Sequence, residues 1–143
     1  MQNNVTCSIQ NLKVYFPIKA GLTQRVVGHI KAVDDVSLDI HGGETLGLVG
    51  ESGCGKTTVG RDIVRLNEPT SGKIIYNGQN ILSLKGDQLR DLRRKLQIVF
   101  QDPYSSLNPR QTVRRMLCEV LTVQMGMDQK QAVERAGELL SQV

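Results

Sequence analysis

At 143 residues the chain is long enough for one domain with a sizeable core, and its formal net charge is a modest +4. Aromatic residues make up only 3% and are not interleaved with the basic ones, which argues against nucleic-acid binding. Cys7, Cys54 and Cys118 are far apart with no C-x-x-C pair, so the pattern fits reduced thiols and not a disulfide frame or a zinc site.

The start, Met1-Gln2-Asn3-Asn4, has no basic and apolar leader pattern, and no apolar run reaches the roughly 20 residues needed to span a bilayer. Thr6 to Phe16 mixes β-branched and apolar residues with partial alternation and predicts a strand that Pro17 ends. Ala20 to His29 reads as a polar connection. Val36, Leu38 and Ile40 alternate with Ser37 and Asp39, a half-buried strand. His29 and His41 have no metal-ligand spacing around them and read as surface histidines.

The turn pair Gly42-Gly43 precedes Glu44–Val49, an apolar run predicted to be a buried strand. It leads into Gly50-Glu51-Ser52-Gly53-Cys54-Gly55-Lys56-Thr57-Thr58, which fits G-x-x-x-x-G-K-[ST]. Glycines let successive N–H groups turn inward as an anion nest. The helix that follows adds unpaired N–H groups and the positive end of its dipole. Lys56 then places an ammonium on the outer phosphates, and the Thr57 hydroxyl suits Mg²⁺. Beside that helix end the Cys54 thiol is either unusually reactive or a small filler residue. Val59, Ile63 and Leu66 fall on one helix face, with Arg61, Asp62 and Arg65 toward solvent or its flank.

Pro69–Gly72 is a turn. Lys73–Tyr76 is a strand, and Asn77-Gly78 is a hairpin signal with a short return over Gln79–Leu84. Leu89, Leu92 and Leu96 predict a helix over Asp87–Leu96. Its Arg90, Arg93, Arg94 and Lys95 read as a solvated face or as a docking patch. Ile98-Val99-Phe100 predicts another buried strand, and Asp102 to Arg110, with two prolines, a surface loop. Two helices close the chain. One carries a stripe of Val113, Met116, Leu117, Val120 and Leu121 and is broken by Gly126. The other opens on a capping box, Asp128 with Gln131, and carries Val133, Ala136, Leu140 and Val143.

The order Val36–Ile40, Gly43-Glu44, the phosphate loop and then Val99-Phe100-Gln101-Asp102-Pro103 resembles the ATP-binding subunits of ABC transporters, from about Asn11 onward. Gln101–Arg110 with Ala32–Ser37 is similar to the oligopeptide/dipeptide and nickel importer branch. The resemblance implies an α/β fold: a P-loop NTPase core with an N-terminal antiparallel β-subdomain over about 5–104, and the start of a helical subdomain over about 105–143. It implies ATP and Mg²⁺ as cofactors, with Gly50–Thr58 on the phosphates, Thr57 and Gln101 on Mg²⁺, and Gln101 near the attacking water. Phe16 or Tyr15 would stack on adenine. Transmembrane permease subunits, a second ATP-binding subunit and an upstream solute-binding protein are the implied partners, at the cytoplasmic face of the membrane. The family's signature motif, its Walker B strand and its switch histidine do not occur in the 143 residues. The expectation is therefore the N-terminal part of a longer ATPase that alone hydrolyses ATP poorly. A non-catalytic module docking on a transporter and another P-loop kinase are the alternatives.

Overall fold

The computed structural model describes residues 4–21, 24–102 and 106–143. Two compact units divide the chain, Met1–Ile98 and Val99–Val143.

In the first unit, two long strands, β1 (Val5–Ala20) and β2 (Arg25–His41), pair antiparallel. With β3 (Ser71–Tyr76) and β4 (Gln79–Asn80) they form one sheet of order β2-β1-β3-β4. The predicted break at Pro17 is wrong, and the predicted connection over Ala20–His29 is too long, since β2 begins at Arg25. Pro17 pairs with His29 inside the ladder, and Ile18 with Gly28. The ladder with β3 stops at Lys13, so beyond it β1 has one neighbour only. A strand position without an N–H donor is tolerated where the other edge is open. The result is a two-stranded arm that runs past the sheet, with Phe16, Ile18, Val26, Val27 and Ile30 exposed along it.

The sheet's buried face carries Cys7, Ile9, Leu12, Val14, Val33 and Ile74. Val59 of helix α1 (Lys56–Ile63) joins this core, as do Ile81 and Leu84 from the short turn after β4 and Leu92 of helix α2 (Gly86–Lys95). Each fully buried aliphatic side chain here contributes roughly 1.5–3 kcal/mol over its exposed state.

Helix α1 is shorter than its periodicity predicts. Arg65 takes a left-handed φ of 56°, and the N–H groups of Arg65 and Leu66 turn back to the carbonyls of Asp62 and Arg61. This reversal closes the helix before Leu66, which stays exposed. It also corrects the placing of Asp62 and Arg65 toward solvent, since both are buried. Arg65 Nη1 donates to the Ile81 carbonyl, and Arg93 Nη2 donates to the Arg65 carbonyl at 2.8 Å. Neither carboxylate oxygen of Asp62 has a hydrogen-bond partner of good geometry. Burial pushes its carboxyl up to about 6, with the Asn67 side chain pulling the other way.

The other arginines of α2 are neutralised locally. Arg90 pairs with Asp87 at 3.0 Å and Arg94 with Asp91 at 3.3 Å, each one turn apart. That is the pattern of a solvated helix face.

Two predicted strands have no ladder. Glu44–Val49 and Ile98–Phe100 carry strand-like apolar runs but pair with nothing among the described residues. Val49 is 97% exposed and Val99 92%. A strand exists only through its neighbours' hydrogen bonds, and these two runs lack neighbours.

The second unit is a helical hairpin of α3 (Val113–Met125) and α4 (Gln129–Ser141). Thr112 caps α3, and Gly126 ends it with a φ of 69°. Asp128 and Gln131 make the predicted capping box, with bonds of 2.9 and 3.2 Å. The contact between the helices uses Cys118, Leu121, Ala132 and Ala136, flanked by Leu117 and Leu139. Val113 and Val120 of the first predicted stripe are exposed instead, as are Val133, Leu140 and Val143 of the second. Leu121 and Ala136 of the predicted stripes are buried as expected, while Cys118 and Ala132 take the other central places.

Candidate functional site: a phosphate loop at the base of the arm

The loop Gly50–Gly55 is shaped by backbone that only glycine adopts freely. Gly53 and Gly55 have φ of 83° and 97°. Gly55 is the N-cap of α1, and no side chain caps the helix there. The first N–H groups of α1 are therefore left for a ligand from outside, and they lie at the positive end of the dipole.

Lys56 is drawn back over the loop. Its ammonium donates to the carbonyls of Gly50 at 2.7 Å and Glu51 at 2.6 Å, and to Cys54 Sγ at 3.2 Å. The predicted loop residues Gly50, Glu51, Ser52, Gly53, Cys54, Gly55, Lys56, Thr57 and Thr58 thus form one continuous curl running into α1. The Lys56 hydrogen bond lowers the Cys54 thiol below its ordinary range, and Cys54 is exposed. Cys7 moves the other way, raised by burial and then by the Asp39 charge.

The arm meets this loop at Ala32 and Val33. A β-carbon added to Gly55 would lie 2.3 Å from the Ala32 carbonyl oxygen and 3.5 Å from Val33 Cγ2. Val33 pairs with Val14. Side chains alternate along a strand, so Phe16 shares the face of Val14 while Tyr15 is on the opposite one. Phe16 is 43% exposed. The Tyr15 hydroxyl donates to Asp34 Oδ1, and the Lys31 ammonium lies 5.3 Å from the Tyr15 ring centroid. Sequence reasoning missed Ala32, Lys31 and Asp34. A backbone carbonyl touching a glycine leaves no residue-type signal, and the tie to Asp34 depends on strand register.

Gln101 is exposed and belongs to the second unit. Ser106 Oγ donates to the Asp102 carbonyl at 3.1 Å, and Asn108 closes a turn by accepting from the Arg110 and Gln111 N–H groups. Pro103, Tyr104 and Ser105 of the predicted loop lie outside the described residues. Among the described residues no cluster of three His, Cys, Asp or Glu could hold a metal ion.

The family description "ABC transporter" matches residues 33–143, most of the chain. The chain belongs to the ABC transporter family. It is 48% identical over 136 residues to the oligopeptide transport ATP-binding protein AppF of Bacillus subtilis, covering 94% of this chain and 41% of that protein. It is 48% identical to the glutathione import ATP-binding protein GsiA of Escherichia coli O157:H7, covering 94% of this chain and 22% of that one. The chain therefore spans less than half the length of these curated relatives. Among solved ABC structures, the dimeric ATP-binding cassette MJ0796 in a post-hydrolysis state with ADP and Pi is similar at a TM-score of 0.74 and 28% identity. That match covers 94% of this chain and 56% of the cassette. The α/β reading, with its antiparallel sheet followed by helices, is that of a partial ABC cassette.

Proposed function

We propose that this chain is the nucleotide-binding part of an ATP-hydrolysing subunit that energises import of small peptides or similar solutes. The observation that carries it is the Gly50–Thr58 curl, with the Lys56 ammonium gathered over an uncapped helix N-terminus. Relatives named for oligopeptide and for glutathione import support the peptide class of solute.

Bound ATP would exchange the Lys56 contacts with Gly50 and Glu51 for its outer phosphates. The N–H groups of α1 would receive the same phosphates, and Phe16 would stack on the adenine. Phe16 is favoured over Tyr15 because it shares the Val14 face and its ring is open. The Thr57 hydroxyl beside phosphate oxygens would suit Mg²⁺, an ion usually held by few protein ligands, and the family resemblance would add the Gln101 amide oxygen. When bound, Mg²⁺ would neutralise phosphate charge. Gln101 would orient the attacking water by its uncharged amide.

No helix among the described residues is long and apolar enough to cross a membrane. The transport path would then come from transmembrane permease subunits, with this protein peripheral at the cytoplasmic face. A second ATP-binding subunit would close over the nucleotide, a reading supported by the dimeric state of the similar MJ0796 cassette, and a solute-binding protein would deliver the peptide. The 143 residues alone would bind ATP and turn it over poorly.

A fluorescent ATP analogue titrated into the 143-residue chain tests the binding half. Lys56→Ala should weaken binding about tenfold or more, because charge-assisted contacts to phosphate are lost. Equal binding by both forms would overturn the phosphate-site reading.

A further inference from the structure

We propose that Tyr15, Lys31 and Asp34 form a clamp that sets the angle of the β1–β2 arm and so positions Phe16 over the phosphate loop. The proposal rests on the nucleotide-binding reading above.

The strand β2 carries one extra residue, Ala32, between the pairs Val14↔Val33 and Tyr15↔Lys31. An extra residue of this kind bends a strand and increases its twist. Here it sits where the arm leaves the wider sheet, and its carbonyl is the atom that Gly55 approaches. The bend and the contact with the phosphate loop are therefore the same place. Beyond it the arm has two strands only, and a two-stranded ribbon has little stability of its own and the largest freedom of twist. Phe16 pairs with Ile30 inside this ribbon, so the bend at the bulge turns the paired ribbon, and Phe16 with it, relative to the sheet.

On the arm's other face three side chains bracket that bulge. Tyr15 and Lys31 precede it toward the tip, and Asp34 follows it. The Tyr15 hydroxyl and the Lys31 ammonium each take one oxygen of Asp34, the second at 3.1 Å. The ammonium also lies over the Tyr15 ring. Both oxygens of one carboxylate are thus held by partners from both strands. The Tyr15 hydrogen bond and then the Lys31 one hold Asp34 below the usual carboxylate range. All three groups are at the surface, where an ion pair adds little to global stability. Their effect is on geometry: closing the tie fixes the bulge, and the bulge aims the face that carries Val14, Phe16 and Ile18.

The test compares ATP with inorganic tripolyphosphate, which has the charge but no base, by calorimetric titration of the full 143-residue chain. Tyr15→Phe and Asp34→Asn should each weaken ATP about threefold to tenfold, a fraction of a base–aromatic stack. Tripolyphosphate affinity and the ligand-free melting temperature should stay unchanged. Phe16→Ala should show the same selective loss, and adding Tyr15→Phe to it should cost nothing more, because the clamp acts through Phe16. Asp34→Glu, which keeps the carboxylate, should retain part of the affinity. Unchanged ATP affinity in the clamp variants would overturn the proposal. So would an equal loss for both ligands, or a full further loss in the Phe16→Ala background. Lys56→Ala separates the two readings: if it leaves both ligands bound as before, the phosphate site itself fails.

Discussion

Gly55 and Ala32 meet backbone to backbone. A β-carbon on Gly55 would come within 2.3 Å of the Ala32 carbonyl oxygen, closer than non-bonded atoms can approach. The phosphate loop is thus seated directly on β2, and the loop's last glycine is required by contact as well as by its φ of 97°. Gly53, with a φ of 83°, has nothing within 4 Å of its would-be β-carbon.

That contrast gives a paired prediction. Gly55→Ala must displace backbone on one side or the other and should destabilise the first unit by about 2–4 kcal/mol, with loss of nucleotide binding. Gly53→Ala meets only the left-handed backbone cost, on the order of 1 kcal/mol. Denaturant midpoints of the two variants, measured together, check the ordering.

Asp62 predicts an unusual pH dependence. Its folded-state carboxyl titrates near 6, above the ordinary 3.8, because burial disfavours the charge. A raised value means that the fold favours the neutral acid over the carboxylate more than the unfolded chain does. Its contribution is fully present below pH 3.8 and is lost as pH rises through 6. Asp62→Asn keeps the shape without the charge. It should therefore stabilise the chain at pH 7.5 by roughly 1–3 kcal/mol and change little at pH 4, read from urea unfolding at both values.

Cys54 should be the first thiol to react. It is exposed and its thiolate is favoured by Lys56, whereas Cys7 and Cys118 are buried. Iodoacetamide at pH 7 should label Cys54 well ahead of the other two by mass spectrometry. Lys56→Ala should slow that labelling by removing the hydrogen bond that lowers the thiol. Equal rates at all three cysteines would contradict the geometry.

The second unit has a test of its own. Asp128 accepts from the Gln131 N–H at 2.9 Å while the Gln131 side chain accepts from the Asp128 N–H at 3.2 Å. Asp128→Ala should cost about 1 kcal/mol, seen as faster amide exchange in the first turn of α4 and unchanged exchange in β1.

Much of the site was legible in the residues. The spacing of Gly50, Gly55, Lys56 and Thr57 predicts a glycine-shaped loop running into a helix, and the structure has that loop and that helix. The capping box at Asp128 was equally plain, since both partners lie within one helical turn. Asn77-Gly78 correctly marked the β3–β4 turn.

What depended on partners distant in sequence was not legible. Pro17 stands within a strand because β1 has an open edge there, and Asp62 is buried because α1 reverses at Arg65. Glu44–Val49 and Ile98–Phe100 have strand composition without a ladder, for a strand requires neighbours that a local pattern cannot supply. The sequence by itself determined the glycine-shaped loop, the ends of the two closing helices and the family, all short-range matters of backbone freedom and spacing. Only the tertiary structure decided that the loop rests on Ala32, that the arm bends at that same residue, and that Tyr15 and Lys31 meet Asp34. Those are consequences of strand pairing and of the extra residue in β2, which no local pattern specifies.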